Sequence, residues 1–520
     1  MATRLDSKRR ALRAALVVLS VLLWPASAYA ERESGALAKE ESAMGAILIP
    51  KGTSTVTVKG KKHQADSFML IVPENRAKPD SKSIEIPVLR LAALNGKPKS
   101  AVFNLSGGPG MSNLLSEVPA RYAEDHDYVM VGYRGVDGGA KLDFPSVSRA
   151  FRDLDGAMSQ DYLKKVGAAF DADAAKIGRE GWDLSAYTIP QTLADIEAAR
   201  AALGYERIDI ASVSYGTRLA YLYSVKHQDR VRRVIMVGAN PPGRFLWEPS
   251  MVETKAEAMA RLWAGDDERK QGVYPSLRSI LDGMPERWLF FPLNAAKIRC
   301  FAFLMLFRGD AACLVLDAFL AAKEGDYSGL AFMSLSYDFM VPGFLYWGDL
   351  AMKGGTADAD PARDYEDAMY PERAAFGSPM GALLFGWARY ASLRLEPIGE
   401  EYRTLSDSDA ETLVVSGDLD VSTPFEYARD ELLPRLKRGT QVVVRGAGHL
   451  DITGKQAEGF DRLVRSFLDT GIPDQSGLGE LRIAKEPSIR FGFIAKLAST
   501  LIFVLGIALI GGAVAALAFI

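Results

Sequence analysis

The chain has 520 residues, of which 48% are hydrophobic, 24% charged and 10% aromatic, with 47 Gly and 25 Pro. That length and apolar content build a sizeable core and exclude a disordered or collagen-like chain. Two Cys exclude a disulfide-dense scaffold and a Cys-rich zinc module, and a formal net charge of −3 leaves no positive field to hold nucleic acid.

In chain order, the first 30 residues carry a basic stretch (Arg4, Lys8, Arg9, Arg10, Arg13), then an apolar run over 14–24 broken only by Ser20, then Ala28-Tyr29-Ala30. This is the pattern of an export signal cleaved before Glu31, and it leaves a mildly acidic mature chain. The alternative is an uncleaved anchor, for which the run is short. Export to an oxidising compartment makes a disulfide between Cys300 and Cys313 possible; two buried thiols are the other reading.

Residues 54–58, 67–72, 84–91 and 100–105 are β-rich and separated by Gly, Pro and Lys turns, with Lys59-Gly60-Lys61-Lys62 as a solvated hairpin tip. Strand and helix then alternate: a strand at 128–131, an amphipathic helix at 191–203, a strand at 208–213, a helix at 217–225 and a strand at 234–237. Alternation of this kind predicts a mostly parallel sheet with helices on both faces. From Pro241-Pro242-Gly243 the pattern changes to helices at 251–264, 295–307, 311–323 and 382–393. Strand periodicity returns at 412–416 and 441–444. The reading is an α/β core (31–242 and 405–470) split by a helical cap (243–404). A polar linker (471–496) follows, then an uncharged apolar stretch (497–520).

As a helix the last 24 residues would be about 36 Å long, enough to cross a hydrocarbon core of about 30 Å. They predict a transmembrane helix, or a removable tail of the lipid-anchor kind. Lys485, Arg490 and Lys496 precede it, which sets the positive-inside rule against an exported catalytic domain led by its signal.

The chemistry-bearing residues lie at strand ends. The 208–213 strand runs into Ser212-Val213-Ser214-Tyr215-Gly216 and then a helix, a nucleophile elbow with Ser212 at the position usually held by Gly. Upstream, a strand ends in Ser106-Gly107-Gly108-Pro109-Gly110. The N–H of Gly108 and that of Tyr215 are candidates for an oxyanion hole. A phosphate loop is the rival reading, but no Lys-Ser/Thr follows. Gly417-Asp418-Leu419-Asp420 and Gly446-Ala447-Gly448-His449 follow the two late strands. The order Ser214, Asp420, His449 predicts a triad in which His449 takes the Ser214 proton and Asp420 orients the imidazole. Asp418 is the rival acid, or a turn residue. Of the other three His, His63 falls in the basic hairpin, His126 in a solvated acidic loop and His227 at a helix end.

These motifs, with Ser214-Tyr215-Gly216-Thr217-Arg218-Leu219-Ala220, Thr423-Pro424 and Gly448-His449, resemble the proline iminopeptidase and tripeptidyl aminopeptidase group of α/β-hydrolases. The resemblance covers roughly 45–240 and 405–470. It implies the α/β-hydrolase fold, a serine triad of Ser214, Asp420 and His449, a substrate-selecting cap, and removal of N-terminal residues or tripeptides from peptides. Two departures stand out: Ser212 at the elbow, and Gly132-Tyr133-Arg134-Gly135-Val136-Asp137-Gly138-Gly139 after the third core strand, where only Arg134 and Gly135 match the group's pattern. An aminopeptidase must also recognise a free amine. Glu248, Glu253 and Glu257 are the cap carboxylates considered for it, against a reading as ordinary exposed helix charges. The alternative activity is a carboxylesterase for small esters or lipids, with Phe290, Phe291, Phe301, Phe303, Phe307, Phe344 and Trp347 as candidate pocket walls. A hydrolase fold kept as a binding module is the third reading, with no triad member missing to favour it. No metal or organic cofactor is implied.

Overall fold

The computed structural model describes residues 46–154, 159–371 and 374–518; within the last helix the side chains of 506, 507 and 510–518 lie outside the description. The predicted export signal falls entirely outside the described residues.

Nine strands form one sheet in the order β1-β2-β3-β5-β4-β6-β7-β10-β11. The chain enters through three antiparallel strands, β1 (Ile47–Val58), β2 (Lys61–Pro73) and β3 (Ser83–Leu91). The Lys59-Gly60 turn between the first two is exposed at its tip, as the sequence predicts. β3 pairs antiparallel with β5 (Asp127–Val131). From there β5, β4 (Ala101–Leu105), β6 (Ile208–Val213), β7 (Val231–Val237), β10 (Ser408–Gly417) and β11 (Leu436–Val444) are all parallel. β8 (Arg287–Trp288) and β9 (Phe291–Pro292) form a small antiparallel hairpin in the cap, where the sequence predicts no strand.

Alternation of side chains along the strands divides the core in two. Phe103, Leu105, Val129, Ile210 and Met236 face helices Ile189–Ala202 and Tyr215–Lys226. Val102, Tyr128, Met130, Ala211, Ile235 and Val415 face helix Ala457–Thr470, which buries Phe460, Leu463, Val464 and Phe467. Helices therefore cover both faces, as parallel strands require.

The insertion begins after β7 and is helical: Pro249–Ala264, Val273–Gly283, Ala295–Met305, Gly309–Lys323, Ser328–Met340 and shorter pieces. The helix expected at 382–393 is shorter than its sequence suggested. Pro379–Phe385 is α-helical and Gly386–Arg389 continues as a 3₁₀ turn.

The expected disulfide is absent. Cys300 and Cys313 are both free and buried. They sit on successive cap helices but face different neighbours. Cys300 lies among Tyr337 and Tyr370, while Cys313 lies beside Trp263. Burial pushes both thiols up, Cys313 to about 12, so they behave as apolar core atoms.

The segment read as a linker is laid against the protein. Leu481 N–H donates to Arg445 O at 2.8 Å, and the Ile483 side chain is buried beside Gly309. The last helix starts earlier than expected and spans Phe491–Ala518. Its first turns dock on the cap, with Phe491 stacked on Phe332 (centroids 4.8 Å) and Lys496 paired with Asp326 at 2.7 Å. Beyond them Leu501, Phe503, Val504, Leu505 and Leu509 are exposed. Among the described residues no helix is long and apolar enough to cross a membrane.

Candidate active site

Ser214 stands at the junction of β6 and helix Tyr215–Lys226 with φ 54° and ψ −125°, a backbone conformation that residues with side chains rarely adopt. The surroundings hold it there. Its N–H donates to Val237 O at 2.8 Å, and its carbonyl accepts from the Thr217 N–H and hydroxyl. A Cβ on Gly216 would come within 2.0 Å of Leu105 O, so the elbow helix approaches β4 only because that residue is glycine. Ser212 is tolerated where a glycine is usual because its hydroxyl is buried and donates to Ile235 O at 2.7 Å on the next strand.

Asp420 and His449 follow the last two parallel strands, β10 and β11. Asp420 is fully buried and its Oδ2 lies 2.8 Å from His449 Nδ1. The same oxygen accepts from Thr423 Oγ1 at 2.7 Å, and Oδ1 accepts the N–H groups of Ser422 and Thr423, each at 2.8 Å. Burial alone would raise this carboxyl. The adjacent imidazole and the Thr423 bonds more than offset it and hold Asp420 below the usual carboxylate range. Asp418 is a turn residue: its Oδ1 accepts the Gly446 N–H at 2.6 Å.

Gly238, directly after β7, leaves the space in which the imidazole lies; a Cβ there would be 3.0 Å from His449 Cε1. Ser214 N–H is bonded to the residue before this glycine. Ser214 and the His449 imidazole thus converge on the C-terminal end of β7, where parallel sheets place their sites.

The Gly-rich loop closes the other side. Gly107 packs on the nucleophile, its ideal Cβ position 3.2 Å from Ser214 Cβ. Asn113 holds the start of the loop: its Oδ1 accepts Ser106 N–H at 2.8 Å, and its Nδ2 donates to Asn104 O and Val131 O. The Tyr133 hydroxyl donates to Ser106 O at 3.2 Å. Gly107 and the Tyr215 backbone therefore flank Ser214 from two elements.

Two segments of the chain match family models: residues 101–290 match the α/β hydrolase fold, and residues 393–478 match a TAP-like protein. The chain is an α/β-hydrolase with a TAP-like segment. A tripeptidyl aminopeptidase of Streptomyces lividans is 30% identical over 189 residues, covering 33% of this chain and 35% of that one. Serine protease Hip1 of Mycobacterium tuberculosis is 28% identical over 198 residues, covering 36% and 38%. A proline iminopeptidase of Xylella fastidiosa is 26% identical over 163 residues, covering 31% and 49%. The matches span well under two thirds of each relative's own length.

The cap of this α/β-hydrolase reaches the site through its own residues. Phe307 packs edge-on against the His449 ring, and Phe303 and Trp247 extend the aromatic wall. Trp247 Nε1 donates to Ser422 Oγ at 3.2 Å, beside the acid's turn. Of the aromatics considered as pocket walls, only Phe303 and Phe307 belong to this wall. Phe301 is packed against Phe332 and Phe491, and Trp347 against Phe151, both as core contacts. Phe290 and Phe291 pack on each other in the β8–β9 hairpin, and Phe344 is exposed.

The three cap carboxylates are otherwise engaged. Glu248 forms a two-pronged pair with Arg363, and Glu253 accepts the N–H groups of Ala375, Phe376 and Gly377 and the Tyr274 hydroxyl. Glu257 is exposed on its helix, 3.9 Å from Arg261.

His126 is not in a solvated loop. It is buried, its Nδ1 lies 2.8 Å from Ser100 Oγ, and Ser100 also donates to Asp209. That cluster precedes β4 and β5, at the end of the sheet opposite the triad. Burial lowers the His126 pKa. Among the described residues no group of three or more His, Cys, Asp or Glu is placed to hold a metal ion.

One buried junction between the elbow helix and the cap escaped the sequence. The elbow-helix Arg218, fully buried, pairs with cap residue Asp358 at 2.7 and 2.8 Å and also donates to Pro241 O. Asp358 in turn accepts the Phe245 N–H where the cap begins. The motif containing Arg218 was visible, but a partner 140 residues away carries no local signal.

Proposed function

We propose that this protein is a serine hydrolase of the peptidase type, an aminopeptidase releasing N-terminal residues or tripeptides from short peptides. The observation that carries the reading is the 2.8 Å bond from His449 Nδ1 to the buried Asp420, at the same C-terminal edge of the parallel sheet as Ser214. In this reading Asp420 fixes the imidazole with Nε2 free toward Ser214. Nε2 takes the hydroxyl proton as Ser214 Oγ attacks the carbonyl, and the imidazolium that forms is stabilised by Asp420. The oxyanion develops toward the N–H groups of Gly108 and Tyr215. Nε2 returns the proton to the leaving amine, and the acyl-enzyme is then hydrolysed by water that His449 deprotonates. Similarity to a tripeptidyl aminopeptidase and a proline iminopeptidase supports the peptidase assignment.

A second reading, a carboxylesterase, is favoured by the apolar wall of Phe303, Phe307 and Trp247 with exposed Leu450 beside His449. The purified full-length chain, with Ser214→Ala as control, is to be assayed on free-amine and N-acetylated peptidyl amides and on short-chain p-nitrophenyl esters. Cleavage of free-amine amides alone establishes the aminopeptidase. Ester turnover without amide turnover makes it an esterase. Turnover that survives Ser214→Ala overturns the triad.

We further propose that the catalytic domain is exported and tethered by the C-terminal helix, supported by the signal-like first 30 residues and the uncharged 497–520 stretch. Cell fractionation tests this: recovery in the detergent-extracted membrane fraction, with release on deletion of 497–520, is expected. Recovery of the intact chain in the soluble fraction overturns it.

A further inference from the structure

The Gly-rich loop beside Ser214 is held from two directions. On the core side, Asn113 fixes Ser106. On the other side the anchor comes from the cap. Gly110 N–H donates to Asp349 Oδ2 at 2.8 Å, and Gly110 O accepts the Tyr346 N–H at 2.9 Å. Both backbone groups of Gly110 are therefore taken by one cap turn. The approach is close: Gly110 has φ +85°, and a Cβ there would lie 2.8 Å from Tyr346 O. Any side chain would push the cap off the loop.

Asp349 is itself built in. It has no exposed surface, and its Oδ1 lies 2.7 Å from the ammonium of Lys353, equally buried, one helical turn later. Lys353 Nζ donates to Arg134 O at 2.9 Å and faces the Tyr133 ring at 5.2 Å. Tyr133 is the residue whose hydroxyl holds Ser106 O, and its ring packs edge-on against Tyr215, the residue after the nucleophile. An isolated buried carboxylate is costly, so this Asp–Lys pair in the cap has a steep energetic need to keep its partners. Those partners are the Gly110 N–H and the ring that braces the oxyanion-hole loop.

We infer that Asp349, with Lys353, is a positioning residue: through the Gly110 N–H it sets the loop that carries the oxyanion-hole donor, so that cap placement and catalytic geometry are coupled. The inference rests on the serine-nucleophile reading above and is independent of whether the substrate is a peptide or an ester. Asp349 touches neither Ser214 nor a substrate carbonyl. It acts on the transition state by fixing where the loop N–H points. Loss of the anchor therefore lowers kcat and leaves KM nearly unchanged.

The test uses a fluorophosphonate probe on the full-length protein. Ser214 Oγ gives its proton to His449 Nε2 and attacks phosphorus, an O–P bond forms, the P–F bond breaks and fluoride leaves, and the phosphoryl oxygen occupies the oxyanion position. The rate constant is measured per site finally labelled, so partial unfolding lowers the amplitude but not the rate. A direct oxyanion donor is worth about 10²–10³ in rate, so for an indirect anchor Asp349→Ala is expected to slow labelling by about 10–100-fold. The same factor is expected in kcat on the substrate that the assays above identify, with KM within about twofold. Asp349→Asn keeps a carbonyl acceptor for the Gly110 N–H and is expected between Ala and wild type, slowed about 3–10-fold. Wild-type labelling rates in folded Asp349→Ala overturn the inference, as does a rise in KM that accounts for the whole loss. If Asp349→Ala does not fold, a wild-type rate in Asp349→Asn overturns it. Wild-type protein that is not labelled at Ser214 overturns the nucleophile reading and this inference with it. Labelled wild type without peptidase turnover overturns only the peptidase assignment.

Discussion

Phe307 of the cap packs edge-on against the ring of His449, centroids 5.2 Å apart and planes at 73°. The contact is reinforced by the backbone, since Leu450 N–H donates to Phe307 O at 2.9 Å. The cap is thus seated on the imidazole that the proposed mechanism requires to hold one orientation. Truncating Phe307, which is half-buried, is expected to cost about 1–3 kcal/mol, below the 3–5 typical of a fully buried Phe. Phe307→Ala is expected to lower kcat/KM while leaving the Asp420–His449 bond intact. Urea unfolding and steady-state kinetics on the same preparation check this; unchanged kinetics would remove Phe307 from the site.

Asp420→Asn tests the acid. The side chain keeps its volume but loses the charge that selects the imidazole tautomer, so kcat is expected to fall about 10⁴-fold with the fold retained. Asp418→Asn, affecting only the Gly446 turn bond, is expected to keep most of the activity. Equal losses in the two variants would reopen the choice between these carboxylates.

Arg218 and Asp358 form the buried ion pair that joins the elbow helix to the cap. Removing one partner strands the other, a cost of about 3–5 kcal/mol. Arg218→Met alone is therefore expected to be strongly destabilised, and Arg218→Met with Asp358→Leu to recover much of the loss. A double-mutant cycle by chemical denaturation measures the coupling, and additive losses would argue against it.

Asp310 lies on the seam between cap and core, bonded to Arg308 at 2.9 and 2.8 Å and to Lys455 at 2.6 Å. Burial pushes its carboxyl up, but the two cations more than offset this and hold it at about 2, against an ordinary 3.8. A depressed carboxyl contributes stability that is present above the ordinary value and is lost as pH falls through the folded one. The wild-type Tm is expected to drop from about pH 4 toward about pH 2, and that of Asp310→Asn to start lower and change less over the same window. Thermal melts across that range decide it; parallel curves would mean that the seam contributes nothing in acid.

The elements that the sequence made legible are those with a local signature. Alternating apolar residues at 208–213 and 412–416, turn residues after each strand, and the small residues around Ser214 are all read within a few positions of themselves. Ser214, Asp420 and His449 are legible as candidates because each lies just beyond a strand end. The helix predicted at 382–393 ends early because the backbone tightens to a 3₁₀ turn at Gly386, although apolar content extends through Leu393. His126 was misjudged because its acidic neighbours suggested solvent, while the residues that bury it come from other strands.

By itself the sequence determined the parallel core, the sharp turn at Ser214 and the presence of a helical insertion, because strand periodicity, turn chemistry and small-residue requirements act over a few residues. Only the tertiary structure decided what the insertion does. Asp349 meets Gly110 across 239 positions, Arg218 meets Asp358 across 140, and Phe307 reaches His449 from a different helix. It also decided that Glu248 and Glu253 are already bonded and that the two cysteines are free and buried. These outcomes depend on which surfaces meet when the cap closes over the sheet, and buried polar groups accept only the partners that packing brings to them.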